Sequence, residues 1–146
     1  MPDTFYKNEH VEMWVEDGIL YHKYSPKLVI TLSIAKEITR QRILMSEGKK
    51  FPLLVDARLL NYISKDAREY WSVGEGIAYL SAGAFVIGNS IHKIFGNMFL
   101  TVNRPPLPAK LFTEVSAGVQ WLQKFKENNT SYRSSNNSLF IYSSSL

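Results

Sequence analysis

Two short apolar runs constrain this chain more than any other feature. Residues 51–55 read Phe-Pro-Leu-Leu-Val and residues 82–87 read Ala-Gly-Ala-Phe-Val-Ile, with no charged side chain in either. Runs of this length are too short for buried helices, and their lack of alternation marks strands covered on both faces. Such strands sit inside a sheet that carries helices, so the runs predict an α/β architecture in which these two strands are central. A chain of 146 residues has room for one domain of this kind and little else.

The flanking segments fit that frame. Residues 10–15 and 19–24 alternate around Asp17-Gly18, a dipeptide in which both residues tolerate the positive φ of a tight hairpin. The spacing predicts the pairs Val15–Leu20, Met13–His22 and Glu12–Lys23, with Val11, Met13, Val15, Leu20 and Tyr24 on one face. His22 shares that face and reads as a hydrogen-bonded structural histidine. Trp14 and Tyr21 lie on the other. A short strand is predicted at 28–31, then a helix capped by Thr31 or Ser33 and stopped at Gly48, with Ile34, Ile38 and Met45 inward. After a loop at 57–63, Ser64 caps a second helix that places Ala67, Trp71, Gly74 and Ala78 along one side. A third helix is predicted from Ser90 to about Val102, with Phe99 and Leu100 outside its apolar arc. A strand at 110–112 leads to a last helix capped by Thr113, with Val115, Val119, Leu122 and Phe125 inward. The whole reads as a mixed β-sheet with an N-terminal hairpin and about four helices packed against it.

Beyond residue 127 the composition changes: residues 128–146 hold seven Ser and four Asn among 19 positions. Burial cannot offset the ordering entropy of such a segment, so the domain is read as 1–127 and the tail as disordered, with an apolar island at 139–142.

Several chemistries are missing. There are no cysteines, which removes disulfides, thiolate nucleophiles and cysteine metal sites, and fits a reducing, cytoplasmic location. No apolar run approaches the roughly 18–20 residues of a membrane-spanning helix. His10, His22 and His92 have no spacing that brings two imidazoles onto one metal, and no cofactor motif stands at a strand-to-helix turn. Gly74-Glu75-Gly76 falls late in the predicted second helix, and Gly88-Asn89-Ser90 reads as a plain strand-to-helix connection. The formal charge is +4, and its densest group is Lys36, Arg40, Arg42, Lys49 and Lys50, offset by Glu37 and Glu47. Without a nucleic-acid motif this reads as a solvated helix face, so no nucleic-acid partner is expected.

One constellation remains. Asp56 ends a central strand, and Arg58, Ser64, Asp66 and Arg68 follow it closely. Ser64 as a helix cap accounts for its position, no histidine is placed beside it as a base, and Arg58 and Arg68 favour ionised carboxylates over a raised pKa. These residues therefore read as a binding surface rather than a catalytic centre.

The order of elements, with Trp14-Val15-Glu16-Asp17-Gly18-Ile19-Leu20, Pro52-Leu53-Leu54-Val55-Asp56, Ala67-Arg68-Glu69-Tyr70 and Ile94-Phe95-Gly96-Asn97, resembles the SpoIIAA-like group, which includes STAS domains and is grouped with Sec14-type domains. Within it the chain is similar to small uncharacterised bacterial members. In STAS-type antagonists a turn at the start of the second helix presents a phosphoacceptor hydroxyl; here that turn reads Ile63-Ser64-Lys65-Asp66-Ala67, with Lys65 at the acceptor position and Ser64 beside it. The resemblance implies a non-enzymatic protein-interaction module that meets another protein through its second-helix surface; the residues themselves point to Asp56, Arg58, Ser64, Arg68, Phe99 and Leu100 as the partner or ligand surface, with homodimerisation one form of the interaction. The alternative it implies is a binder of a small apolar ligand or lipid, which requires a cavity on the order of several hundred Å3.

Overall fold

The computed structural model describes residues 4–89 and 106–127. Its main sheet has six strands in the order β1-β2-β3-β5-β7-β8: β1 (Thr4–Lys7), β2 (Val11–Glu16), β3 (Ile19–Tyr24), β5 (Phe51–Asp56), β7 (Leu80–Val86) and β8 (Ala109–Phe112). The first three are antiparallel, and β3, β5, β7 and β8 run parallel. A separate parallel ribbon joins β4 (Val29–Ile30) to β6 (Tyr62–Ile63). The helices are α1 (Leu32–Ser46), α2 (Lys65–Tyr70) and α3 (Val115–Leu122).

Local chemistry explains the elements. At the β2–β3 turn Asp17 and Gly18 take φ of 51° and 76°, and the strands pair Val15 with Leu20, Met13 with His22 and Glu12 with Lys23. The Thr31 hydroxyl accepts from the Ile34 amide to open α1, and Glu47 and Gly48, both at positive φ, end it. The alternating faces of β3 and β5 then divide the core. Met13, Leu20, Leu53 and Val55 pack under α1 and α2 with Ala35, Ile38 and Ala67; Ile19, Leu54, Ala82, Ala84 and Val86 lie on the opposite face under Leu122 of α3. Gly118 lets α3 approach closely, since a Cβ there would stand 3.2 Å from Leu54 Cδ1. Trp14 and Tyr21 stack on this second side with centroids 5.1 Å apart.

The structure departs from the sequence reading in several places. β1 pairs in register with β2 although its four residues carry too little pattern to mark a strand. The segment predicted as a third strand and part of the 57–63 loop instead make the β4–β6 ribbon outside the main sheet. The second helix ends after Tyr70: Ser72 Oγ bonds back to the Arg68 carbonyl, Val73 is extended, and Gly74 to Ile77 form a 3-10 turn. Two glycines in three residues remove the helix propensity needed to continue. Gly76 has a further reason to be glycine, because a Cβ would fall 1.9 Å from the Tyr70 carbonyl oxygen. The last helix is preceded by Glu114, with no side-chain cap, rather than by Thr113. The predicted helix of residues 90–102, Phe99, Leu100 and the 128–146 tail lie outside the described residues.

Gly76→Ala is expected to destabilise the fold by at least about 2 kcal/mol in urea denaturation, because backbone rather than a flexible side chain must yield. Gly83→Ala, whose Cβ meets only a Phe85 ring carbon at 3.6 Å, should stay within about 1 kcal/mol of the parent. Equal losses in the two variants would contradict the close approach at Gly76.

Candidate functional site

Of the residues singled out by sequence, Asp56 and Arg58 form one group at the C-terminal end of β5, and Ser64 and Arg68 a second; Phe99 and Leu100 lie outside the described residues. Asp56 closes β5, and Arg58 folds back on it: Nε donates to Oδ1 at 2.9 Å and Nη2 to Oδ2 at 2.8 Å. Burial of Asp56 favours its neutral form, but the hydrogen bonds and charge of Arg58, with Lys23 behind them, outweigh this and hold the carboxyl below its ordinary value. The Arg58 stem lies over Gly88 at the end of β7. Lys23, Tyr24, Asp56, Arg58 and Leu59 line a shallow depression of about 220 Å3 here.

The second group sits at the start of α2. Ser64 donates to Asp66 and accepts from the Ala67 amide, so its hydroxyl caps the helix. Arg68 donates to the Ile63 carbonyl and to the Tyr62 hydroxyl, and its guanidinium lies 5.7 Å from the Tyr62 ring centroid. Between the groups three large apolar side chains are exposed: Val29, Leu59 and Tyr62. Val29 and Tyr62 are register partners and therefore project on the same side of their ribbon. The Leu59 backbone is tied to the segment that precedes this ribbon, its carbonyl accepting from the Lys27 amide at 2.8 Å.

A further polar cluster lies inside the domain, where sequence reasoning missed it. Arg42 belongs to the supposed solvated basic face, yet it is 2% exposed and donates to the carbonyls of Ala78 at 2.6 Å and Gly76 at 3.1 Å. The reason is helical phase: Ala35, Ile38, Thr39, Arg42 and Ser46 form the buried stripe of α1, while Lys36 and Arg40 point outward. His22 is also 2% exposed, but neither ring nitrogen has a hydrogen-bond partner among the described residues. This corrects the expectation of a bonded structural histidine. Both residues line a cavity of about 40 Å3 that Tyr24, Trp71 and Phe85 help to wall. Trp71 is fixed there by donating to Thr39 Oγ1 at 2.9 Å and by stacking on Tyr24. Burial, reinforced by the Arg42 charge, pushes the His22 pKa down to about 3; burial likewise lowers Arg42 to about 10, against the opposing effect of the Tyr24 and Tyr70 phenols. Tyr24 is pushed upward by burial. Among the described residues no group of three His, Asp or Glu side chains is placed to hold a metal ion, and no helix is long and apolar enough to cross a membrane.

This arrangement of sheet and helices is similar to the crystal structure of an uncharacterised DUF3478-family protein with a SpoIIAA-like fold from Shewanella loihica, with a TM-score of 0.53 and 15% identity over 80% of this chain and 98% of that one. At that identity the likeness is one of fold alone: a mixed α/β domain similar to the SpoIIAA-like fold. The chain belongs to the family described as a domain of unknown function, DUF7793, whose profile matches residues 13–126. No curated protein matches it in sequence.

The buried imidazole has a consequence for stability. Between about pH 3 and its ordinary value of 6.5, His22 is protonated in the unfolded chain and neutral in the folded one, so the unfolded state binds the extra proton and stability falls as pH drops. Urea unfolding across this window should show a loss approaching about 1.4 kcal/mol per pH unit. In His22→Gln that component should vanish; an unchanged slope in the variant would place its origin elsewhere.

Proposed function

We propose that this chain is a non-enzymatic interaction module that binds another protein across the end of the domain formed by the β4–β6 ribbon, Leu59 and the start of α2. The exposed trio of Val29, Leu59 and Tyr62 carries the reading. Arginine and aromatic side chains beside exposed aliphatic ones supply the residue types that dominate binding energy in protein interfaces. Arg58 and Arg68 frame the trio, and Lys27 and Lys65 are exposed next to it, while Asp56 and Asp66 are engaged locally. A partner surface with apolar side chains and carboxylates complements this pattern.

The local chemistry supports binding over catalysis. Ser64 is committed to capping and Asp56 to an arginine fork, so neither is poised as nucleophile or base. The alternative of an apolar-ligand or lipid carrier has less support: the interior cavity is about 40 Å3 and a buried guanidinium and imidazole line it, while a larger depression of about 900 Å3 beside Tyr79 and Phe125 is open to solvent and carries Lys49, Lys50, Lys126 and Glu127 on its walls.

A photo-reactive benzoylphenylalanine at position 62, irradiated in the cells that make the protein, is expected to give a discrete adduct. The same probe at position 44, which is more exposed and lies on α1, should not. Leu59→Asp combined with the position-62 probe should reduce that adduct several-fold. Indistinguishable adduct patterns from the two positions would overturn the reading, and an adduct of twice the chain mass would identify the partner as a second copy.

A further inference from the structure

The interior cluster is a different matter from the exposed end, and its composition is unusual for a core. Arg42 is a buried cation, and among the described residues no carboxylate lies within ion-pair distance of it. The Gly76 and Ala78 carbonyls account for two of its five N–H groups. His22 adds a neutral ring with one donor and one acceptor, both unpartnered, on the same cavity. Each unmet buried group costs about 1–3 kcal/mol, so the cavity as formed by protein atoms alone leaves polar demand unanswered. Its polar side chains are the Arg42 cation with His22 and Tyr24, each of which can donate, and none is a carboxylate; the remaining wall is Trp71, Phe85, Leu53, Val55, Leu80 and Gly76.

We propose that this cavity is a binding site for a small planar monoanion, held between the Arg42 guanidinium and the imidazole N–H of His22. Size limits the occupant. About one probe sphere of 10–15 Å3 is needed per water, so a space of about 40 Å3 takes roughly three or four non-hydrogen atoms. A nitrate or a very short carboxylate fits this limit and sulfate does not. Charge selects the sign, because an anion neutralises Arg42 where water only solvates it. Shape favours a planar group: Arg42 Nη1 and Nη2 each keep a second N–H beyond the one given to Ala78 or Gly76, and a flat oxyanion suits the plane of the guanidinium. The site is separate from the docking end and does not depend on the reading given for it.

Nitrate is the probe, because it stays ionised at every working pH. With 15N-labelled histidine, long-range 1H–15N spectra report the His22 ring nitrogens directly in the full chain. Adding sodium nitrate should move the His22 signals along a saturating curve while those of His10 stay in place. Sodium sulfate at the same ionic strength should leave both unmoved. With nitrate bound, the pH at which His22 protonates should rise by about one unit or more, as a nearby opposite charge requires. Arg42→Met should abolish the response. If that variant does not fold, the contrast between nitrate and sulfate in the parent protein decides alone. A His22 signal indifferent to nitrate, or one that follows nitrate and sulfate equally, overturns the proposal and leaves a cavity that holds only water.

Discussion

The tie between Arg42 and the carbonyls of Gly76 and Ala78 is the interaction on which the rest of the domain leans. It links the middle of α1 to the segment entering β7, and β7 is the parallel neighbour of β5 at the centre of the sheet. Hydrogen bonds to a charged group contribute about 1.5–3 kcal/mol each, and they also satisfy carbonyls that the short 3-10 turn would otherwise leave bare. The same tie imposes a cost. A guanidinium brought out of water resists burial, so removing one partner alone is costly, whereas replacing the whole arrangement by well-packed apolar groups need not be. Its geometry further requires the chain to fold tightly back on α2, which is why Gly76 admits no side chain and why Tyr79 sits at a φ of 61° before the strand begins.

What was legible in the sequence follows from how local the signal was. The β2–β3 hairpin could be read to the residue, because the turn chemistry of Asp17-Gly18 and the alternation beside it fix register within a dozen positions. The central strands could be read because burial on both faces erases polar residues from a run. β1 and the β4–β6 ribbon could not, since two to four residues carry no period. In the candidate site the Asp56–Arg58 fork lies within three residues and was visible as a neighbouring pair, whereas the patch of Val29, Leu59 and Tyr62 depends on a ribbon joining segments some thirty positions apart.

Arg42 and His22 show a different limit. Counting charge along α1 assigns every basic residue to solvent, yet the stripe through Ala35, Thr39, Arg42 and Ser46 runs through the core. Apart from Ile38, which its apolar spacing did mark, that stripe lacks large apolar side chains, so the same spacing selected the half-buried Ile34 and Met45 in place of Thr39, Arg42 and Ser46. The position of His22 on the inward face was evident from alternation alone. Its lack of partners was not, because that depends on what α1 and the segments around Trp71 and Phe85 bring to the same point.

The domain thus inverts the usual distribution of polarity at two places joined by one side chain. Large aliphatic and aromatic groups face outward at the ribbon, and a cation and an imidazole face inward under the sheet. Tyr24 belongs to both, lining the depression beside Asp56 and Leu59 as well as the His22–Arg42 cavity. It is 4% exposed and stacked on Trp71, which is itself pinned to Thr39 of α1. Close-packed aromatic contacts of this kind do not deform gradually; a displacement of Tyr24 at the depression must be taken up by Trp71 or by the cavity. The void is therefore not neutral space in the core. It borders Tyr24 and Trp71 on one side and the Arg42 guanidinium on the other.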